Sequence, residues 1–230
     1  MILNKLNNIL VICLFFTYSI LSAQDWAQLE HFSSANNELP DIKTNENRVV
    51  FMGNSITIGW SHHQPEFFEG KPYVNRGISG QTTPQMLVRF RQDVIDLKPK
   101  VVVILAGTND IAGNTGPSTL EMIADNIMSM AELAEANGIK AVLSSVLPAY
   151  DYPWRQGLKP NEKIPALNNM IKAYSERKGF VYLDYFSAMT DGNNGLRQDL
   201  GSDGVHPNKK GYELMAPLAE KAINEALAKK

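Results

Sequence analysis

Beyond residue 47 the chain alternates between short apolar runs and polar breaks that carry glycine. Val49, Val50, Phe51 and Met52 follow one another without a polar residue and predict a buried strand over 48–52, stopped by Gly53. The same reading predicts strands over 71–77, 100–106, 139–147 and 180–184. The third is apolar from Val101 to Ala106, with no polar face, as a central strand of a parallel sheet requires. The intervening segments have helical spacing. Thr83 is expected to cap a helix with Pro84 at its first position and Leu87, Phe90, Val94 and Leu97 facing inward. A helix over 118–137 would bury Leu120, Ile123, Ile127, Ala131 and Ala134 and end at Gly138. Further helices are predicted over 165–178, ending at Gly179, and over 209–228. Before the first strand, 25–39 predicts a short helix with Trp26, Leu29 and Phe32 on one face, and 40–47 a polar linker.

Strands alternating with helices place the chain in the α/β class, with a parallel sheet covered on both faces. No internal repeat or low-complexity tract interrupts it. The expected division is 1–23 as a signal peptide, 24–47 as an N-terminal helix and linker, and 48–230 as the main domain. The leader reading rests on Lys5, the apolar run from Ile9 to Leu21, and the small residues Ser22 and Ala23, with cleavage near Ala23 or Gln24. The run falls short of the ~20 residues that a spanning helix needs. The mature form is therefore expected to be exported, periplasmic or secreted, with no membrane span.

The chain has 230 residues, 44% of them hydrophobic, which suffices for one core. Its single cysteine, Cys13, lies in the leader, so disulfide and thiol chemistry are excluded from the mature form. The formal charge is -2, and loss of Lys5 takes it to -3, which gives no reason to expect nucleic acid as a partner. No cofactor motif is present: in 53–60, Trp60 stands where a phosphate-binding loop needs lysine. His62 and His63 are adjacent, with no carboxylate at ligand spacing, and no metal is expected.

In a parallel α/β sheet, ligands bind beyond the carboxyl ends of the strands. The polar residues that break the pattern fall there. Ser55 follows the first strand, Gly80 the second, Asn109 and Asp110 the third, Tyr150, Tyr152 and Trp154 the fourth, and Asp203 and His206 the fifth. A serine hydroxyl needs a base to take its proton, and an imidazole held through its other nitrogen by a carboxylate is such a base. Asp203, three residues before His206, can turn back onto it, with Gly204 to tighten the turn. The Gly80 amide, the Asn109 carboxamide and the Ser55 amide could point donors at a developing oxyanion. Asp110 reads as a helix cap or supporting residue. Trp60, Tyr150 and Trp154 are candidate substrate contacts.

The blocks "GNSI", "NRGISG", "GTND" and "DGVHPN", in this order, resemble those of the SGNH (GDSL-type) hydrolases, in the subgroup of platelet-activating-factor acetylhydrolase-like and lysophospholipase-type esterases. The resemblance implies a three-layer α/β/α sandwich around a five-stranded parallel sheet, of flavodoxin-like order. It implies a carboxylic ester hydrolase without cofactor. Ser55 would be the nucleophile, Asp203 and His206 the rest of the triad, and Ser55, Gly80 and Asn109 the oxyanion hole. Asn54 stands where the family commonly has aspartate. The expected activity is hydrolysis of short acyl esters, acetyl above all, on a small-molecule or glycan substrate. A lysophospholipase, lipid acylhydrolase or thioesterase, or a catalytically silent carbohydrate-binding module, are the alternatives.

Overall fold

The computed structural model describes residues 25–229. The predicted leader and its cleavage position lie outside the described residues. Five parallel strands form one sheet: β1 (Val49–Gly53), β2 (Tyr73–Gly77), β3 (Val101–Leu105), β4 (Lys140–Ser144) and β5 (Val181–Leu183), in the order β2-β1-β3-β4-β5. Four of the observed strands sit inside the expected ranges; β1 runs one residue further, taking in Gly53, and β2 carries Asn75 and Arg76 within it. β1 and β3 are buried at every position.

Successive residues of a strand face opposite sides of the sheet. Val50, Met52, Val102 and Ile104 enter one core, with residues of the helices Thr83–Asp93, Leu120–Ala136 and Pro160–Lys178. Val49, Phe51, Val101 and Val103 enter the other, with residues of the helices Ser55–His63 and Lys209–Ala228. With the short helices Ser33–Asn37, Thr108–Ile111 and Phe186–Met189 included, the helices are α1 (Ser33–Asn37), α2 (Ser55–His63), α3 (Thr83–Asp93), α4 (Thr108–Ile111), α5 (Leu120–Ala136), α6 (Pro160–Lys178), α7 (Phe186–Met189) and α8 (Lys209–Ala228). This is the expected α/β/α sandwich. The strand order reverses between β1 and β3, which opens a crevice at their carboxyl ends.

The helices α2, α4 and α7 form where none was expected, and three of the expected helices differ from the sequence expectation. The helix expected over 25–39 is mostly turns, with only α1 helical. Gln28 adopts a left-handed φ of 56°, which stops a helix there. Trp26 and Leu29 consequently face solvent, while Ala27 and Phe32 pack inward. The cap of α3 is Thr82, one residue earlier than expected, in a reciprocal capping box with Gln85. α3 also stops at Asp93, and Val94 and Leu97 are buried around the following 3-10 turn. α6 starts at Pro160 and carries Pro165 inside it. Proline gives up an amide that would have bonded the carbonyl four residues back. That carbonyl, on Asn161, instead accepts the Asn194 side-chain amide at 3.0 Å.

Gly53 and Gly77 end neighbouring strands in register. Neither has a positive φ; their value is space. A Cβ on Gly77 would lie 2.3 Å from the Ile58 nitrogen and 2.8 Å from the Asn54 oxygen, both backbone atoms that cannot swing aside. Overpacking of this kind costs roughly 1–3 kcal/mol or more. Gly77→Ala is expected to destabilise the protein by at least that amount in urea unfolding, and an unchanged midpoint would show that α2 does not need this approach.

Candidate active site

The turn from β1 into α2 places Ser55 as the first residue of the helix. Asn54 is its cap, 1% exposed, and its side-chain oxygen accepts the Ile56 amide at 3.0 Å. The Asn54 backbone carbonyl accepts the amides of Thr57 and Ile58. An asparagine thus supplies the cap hydrogen bond without a buried charge. The amides at the start of a helix also carry its positive dipole end, which favours negative charge beside Ser55.

His206 arrives from the other end of the chain. Residues 199–208 form a tight loop closed by a bridge between Gly201 and Pro207, with the Ser202 amide donating to the His206 carbonyl. Gly204 has φ of 81°, a conformation that favours glycine. Within this loop one Asp203 oxygen accepts the amides of His206, at 2.7 Å, and Val205, at 2.9 Å. The other lies 2.7 Å from His206 Nδ1. His206 Nε2 is 3.0 Å from Ser55 Oγ. The Asp203 carboxyl is held below its ordinary value: desolvation, the largest single effect, raises it, but the hydrogen bonds from His206 and Val205 outweigh that. The Tyr212 hydroxyl, on α8 just beyond this loop, donates to the Ile56 carbonyl at 2.8 Å and ties the two ends of the chain together.

Gly80 lies on the loop after β2, and Asn109 in the short helix α4 that follows β3. Gly80 has φ of 77°. Asn109 Nδ2 donates to the Gln81 carbonyl at 2.9 Å, and Asn114 Nδ2 donates to the Gly80 carbonyl at the same distance. A carboxamide nitrogen has two hydrogens, so each asparagine keeps one. Asp110 is 2% exposed and caps α3: it accepts the Thr83 amide at 2.9 Å and the Thr83 hydroxyl at 2.6 Å.

The three aromatic candidates separate. Trp60 is 2% exposed and stacks on Phe67 at 4.3 Å, with Phe51 and Tyr212 beside it. It faces the core because α2 packs that side onto the sheet, which corrects its reading as a candidate substrate contact. Tyr150 and Trp154 are 63% and 49% exposed. Trp154 lies 5.8 Å from the His206 ring, ring centre to ring centre, and is backed by Tyr152 at 5.4 Å. Tyr152 is itself fully buried, with its hydroxyl on Thr108. Arg155 locks this loop to the one after β3 through the Ala112 and Gly113 carbonyls. Among the described residues there is no group of histidine, cysteine or acidic side chains able to hold a metal.

Buried polar groups for which the sequence carries no expectation lie beside Asn109. Arg89 and Asp93, on α3, are fully buried and paired at 2.9 Å. Gln81 is 1% exposed. The available signal was an oppositely charged pair four residues apart on the same side of a helix as Met86 and Phe90.

Residues 51–214 match the GDSL-like Lipase/Acylhydrolase family, more than half of the chain. The chain is similar to a crystal structure described as a proposed acylhydrolase from Bacteroides fragilis, with 48% identity and a TM-score of 0.86, covering 89% of this chain and 99% of that one. A GDSL-like lipase structure from Bacteroides thetaiotaomicron is 46% identical, with a TM-score of 0.85, covering 87% and 98%. An acetylxylan esterase from Xylanibacter ruminicola is 27% identical over 223 aligned positions, covering 80% of this chain and 45% of that one. This chain spans 32%, 45% and 64% of the length of three of the curated relatives it matches.

Burial pushes the Asp110 carboxyl up to about 6 from an ordinary 3.8, against the pull of the Thr83 hydroxyl and amide. A raised carboxyl favours the folded state below about pH 4, and that contribution is lost as pH rises through about 6. Asp110→Asn keeps an acceptor for Thr83 but cannot ionise. Urea unfolding at pH 4 and pH 7 should show wild type losing up to about 3 kcal/mol relative to the variant. Parallel pH profiles would show that Asp110 does not carry this dependence.

Proposed function

The chain belongs to the GDSL-like lipase/acylhydrolase family, and from that premise we propose that it is a serine esterase acting on short acyl groups, chiefly acetyl, carried by carbohydrate. The observation that carries the reading is the unbroken line of contacts from Ser55 Oγ through His206 to Asp203, at 3.0 and 2.7 Å. In the reaction Ser55 Oγ attacks the ester carbonyl carbon and His206 Nε2 takes its proton. Asp203 holds the ring through Nδ1 and stabilises the imidazolium. The carbonyl oxygen becomes an oxyanion, met by the Ser55 amide, the Gly80 amide and the second hydrogen of Asn109 Nδ2. His206 returns the proton to the departing alcohol. Water, deprotonated by His206, then attacks the acyl-enzyme and releases the acid and free Ser55.

The rim supports a glycan alcohol. Trp154 offers a half-exposed aromatic face beside His206, with Tyr150 exposed on the same loop. A pocket of about 300 Å³ at Gly80 is lined by Gln28, Ser79, Gln81, Gln85, Asn114 and Thr115, all uncharged and polar, which suits hydroxyls better than an alkyl chain. The leader reading adds export. Among the described residues no helix is long and apolar enough to cross a membrane.

A serine-reactive phosphonate should label wild type and not Ser55→Ala; labelling of the variant would refute the nucleophile. Asn109→Ala should lower kcat by roughly 10²–10³. Across p-nitrophenyl acetate, butyrate, octanoate and palmitate, turnover should fall with chain length. Faster hydrolysis of the long chains would move the reading to a lipid acylhydrolase, and glycan binding without ester turnover would leave a binding module. Trp154→Ala should raise KM for acetylated xylo-oligosaccharides by about 3- to 10-fold, the worth of one aromatic contact, while sparing p-nitrophenyl acetate. Equal losses on both substrates would remove Trp154 from glycan recognition.

A further inference from the structure

The oxyanion side is held by a polar network that reaches residues 25–37, outside the stretch matched to the family. Gln81 is its centre. Its backbone carbonyl accepts Asn109 Nδ2 at 2.9 Å. Its side chain is bonded at both ends: Nε2 donates to the Ala27 carbonyl at 2.9 Å and Oε1 accepts Arg89 Nε at 2.6 Å. Arg89 also donates to the Gly53 carbonyl at 3.1 Å, the Arg76 carbonyl at 2.8 Å and Asp93 at 2.9 Å. One buried guanidinium therefore touches the ends of β1 and β2 and the loop that carries Gly80. The N-terminal segment is fastened by further bonds of the same kind, from Gln85 to the Trp26 carbonyl and from Asn36 to Asp93.

We propose that Gln81 is a positioning residue for ester hydrolysis, aiming the Asn109 amide from a seat that Arg89 and the N-terminal segment hold in place. The inference rests on the reading of Asn109 as an oxyanion donor. The physical argument is that the Gln81 carbonyl uses one of the two Nδ2 hydrogens and fixes the plane of the carboxamide, which directs the other. A carboxamide free to rotate would spend its binding on water or on its own loop. A donor fixed before substrate arrives needs no reorganisation as charge develops. Fixing that carbonyl requires fixing residue 81, and a side chain bonded at both ends does so. The Ala27 carbonyl thereby makes the segment before the first strand part of the catalytic arrangement without touching substrate.

The test is a double-mutant cycle on p-nitrophenyl acetate. Gln81→Leu removes both side-chain bonds. Gln81→Glu keeps the Arg89 partner and removes the donor to Ala27, so it serves if the leucine variant fails to fold. Circular dichroism checks folding, and kcat is set on the phosphonate-labelled fraction. Gln81→Leu should lower kcat by about 10- to 100-fold with KM within about 2-fold. Gln81→Glu should lower it less, in the same direction. In an Asn109→Ala background either change should cost less than about 2-fold, because the carboxamide that Gln81 aims is gone. An undiminished loss in that background, or a loss confined to melting temperature, would overturn the inference and leave the oxyanion reading standing. A near-normal rate for Asn109→Ala alone would overturn both.

Discussion

The closeness with which α2 approaches the sheet governs the site. Gly53 and Gly77 end adjacent strands, and a side chain on either would drive into α2: at Gly53 a Cβ would lie 2.0 Å from Thr57 Oγ1 and 2.8 Å from the Leu105 carbonyl. With both absent, the first turn of α2 sits on the strand ends, capped by Asn54. Its first residue then stands at the crevice where the strand order reverses. Ser55 gains its position from a helix packed against β1 and β2, so its hydroxyl is fixed by the core and not by a mobile loop. α2 is held further by Tyr212 and by the aromatic cluster around Trp60. Rigidity on both sides lets a residue from position 206 find it.

That arrangement requires polar groups to be buried beneath the site. Arg89, Asp93, Gln81, Thr82 and Thr83 are all under 2% exposed. A buried ion pair contributes little net stability over an apolar pair, yet breaking one costs roughly 3–5 kcal/mol, because the survivor is left uncompensated. Arg76, beside this group, is pushed down to about 10, chiefly by burial, with Asp93 opposing and Arg89 and Arg48 adding to it. Its guanidinium lies 4.7 Å from the Phe32 ring, which closes the network from the solvent side. The network is therefore better explained by the geometry it enforces on three strand-end loops than by the stability it adds.

The sheet, the helices α3, α5, α6 and α8, and the Ser55, Asp203 and His206 positions were legible because each leaves a local mark, whereas α2 was not read from the sequence. The central strands of a covered parallel sheet are apolar, helices repeat at 3.6 residues, and a histidine with an aspartate three residues before it is a short string. What escaped was non-local. Trp60 could be outside or inside at the same spacing, and only the packing of α2 against Phe67 and Tyr212 decides. Tyr152 and Trp154 alternate as strand residues would. The loop is instead folded on Asp151, whose carboxylate accepts the amides of Tyr152 and Gly157, so one ring turns in and backs the other. The 25–39 segment has helical spacing but little to pack on, and it is held by side-chain bonds to its carbonyls that no periodicity encodes.

The two halves of the site are consequently built on different principles. The Asp203–His206 side is partly exposed, with side-chain exposures of 34% for His206 and 38% for Asp203. Water surrounds it, and its precision comes from short-range covalent economy: a loop of a few residues, a left-handed glycine, and a carboxylate that binds the backbone of the histidine it orients. On the Asn109 side, Asn109, Gln81 and Arg89 are buried while Gly80 is exposed, and the precision comes from long-range bonds among Gln81, Arg89 and the segment before β1. This division would suit the ester hydrolysis proposed for the site. A general base must exchange protons with an alcohol and with water and needs access to both. An oxyanion donor in the position of Asn109 must not reorganise, and in a buried setting its hydrogen bond acts with less competition from solvent.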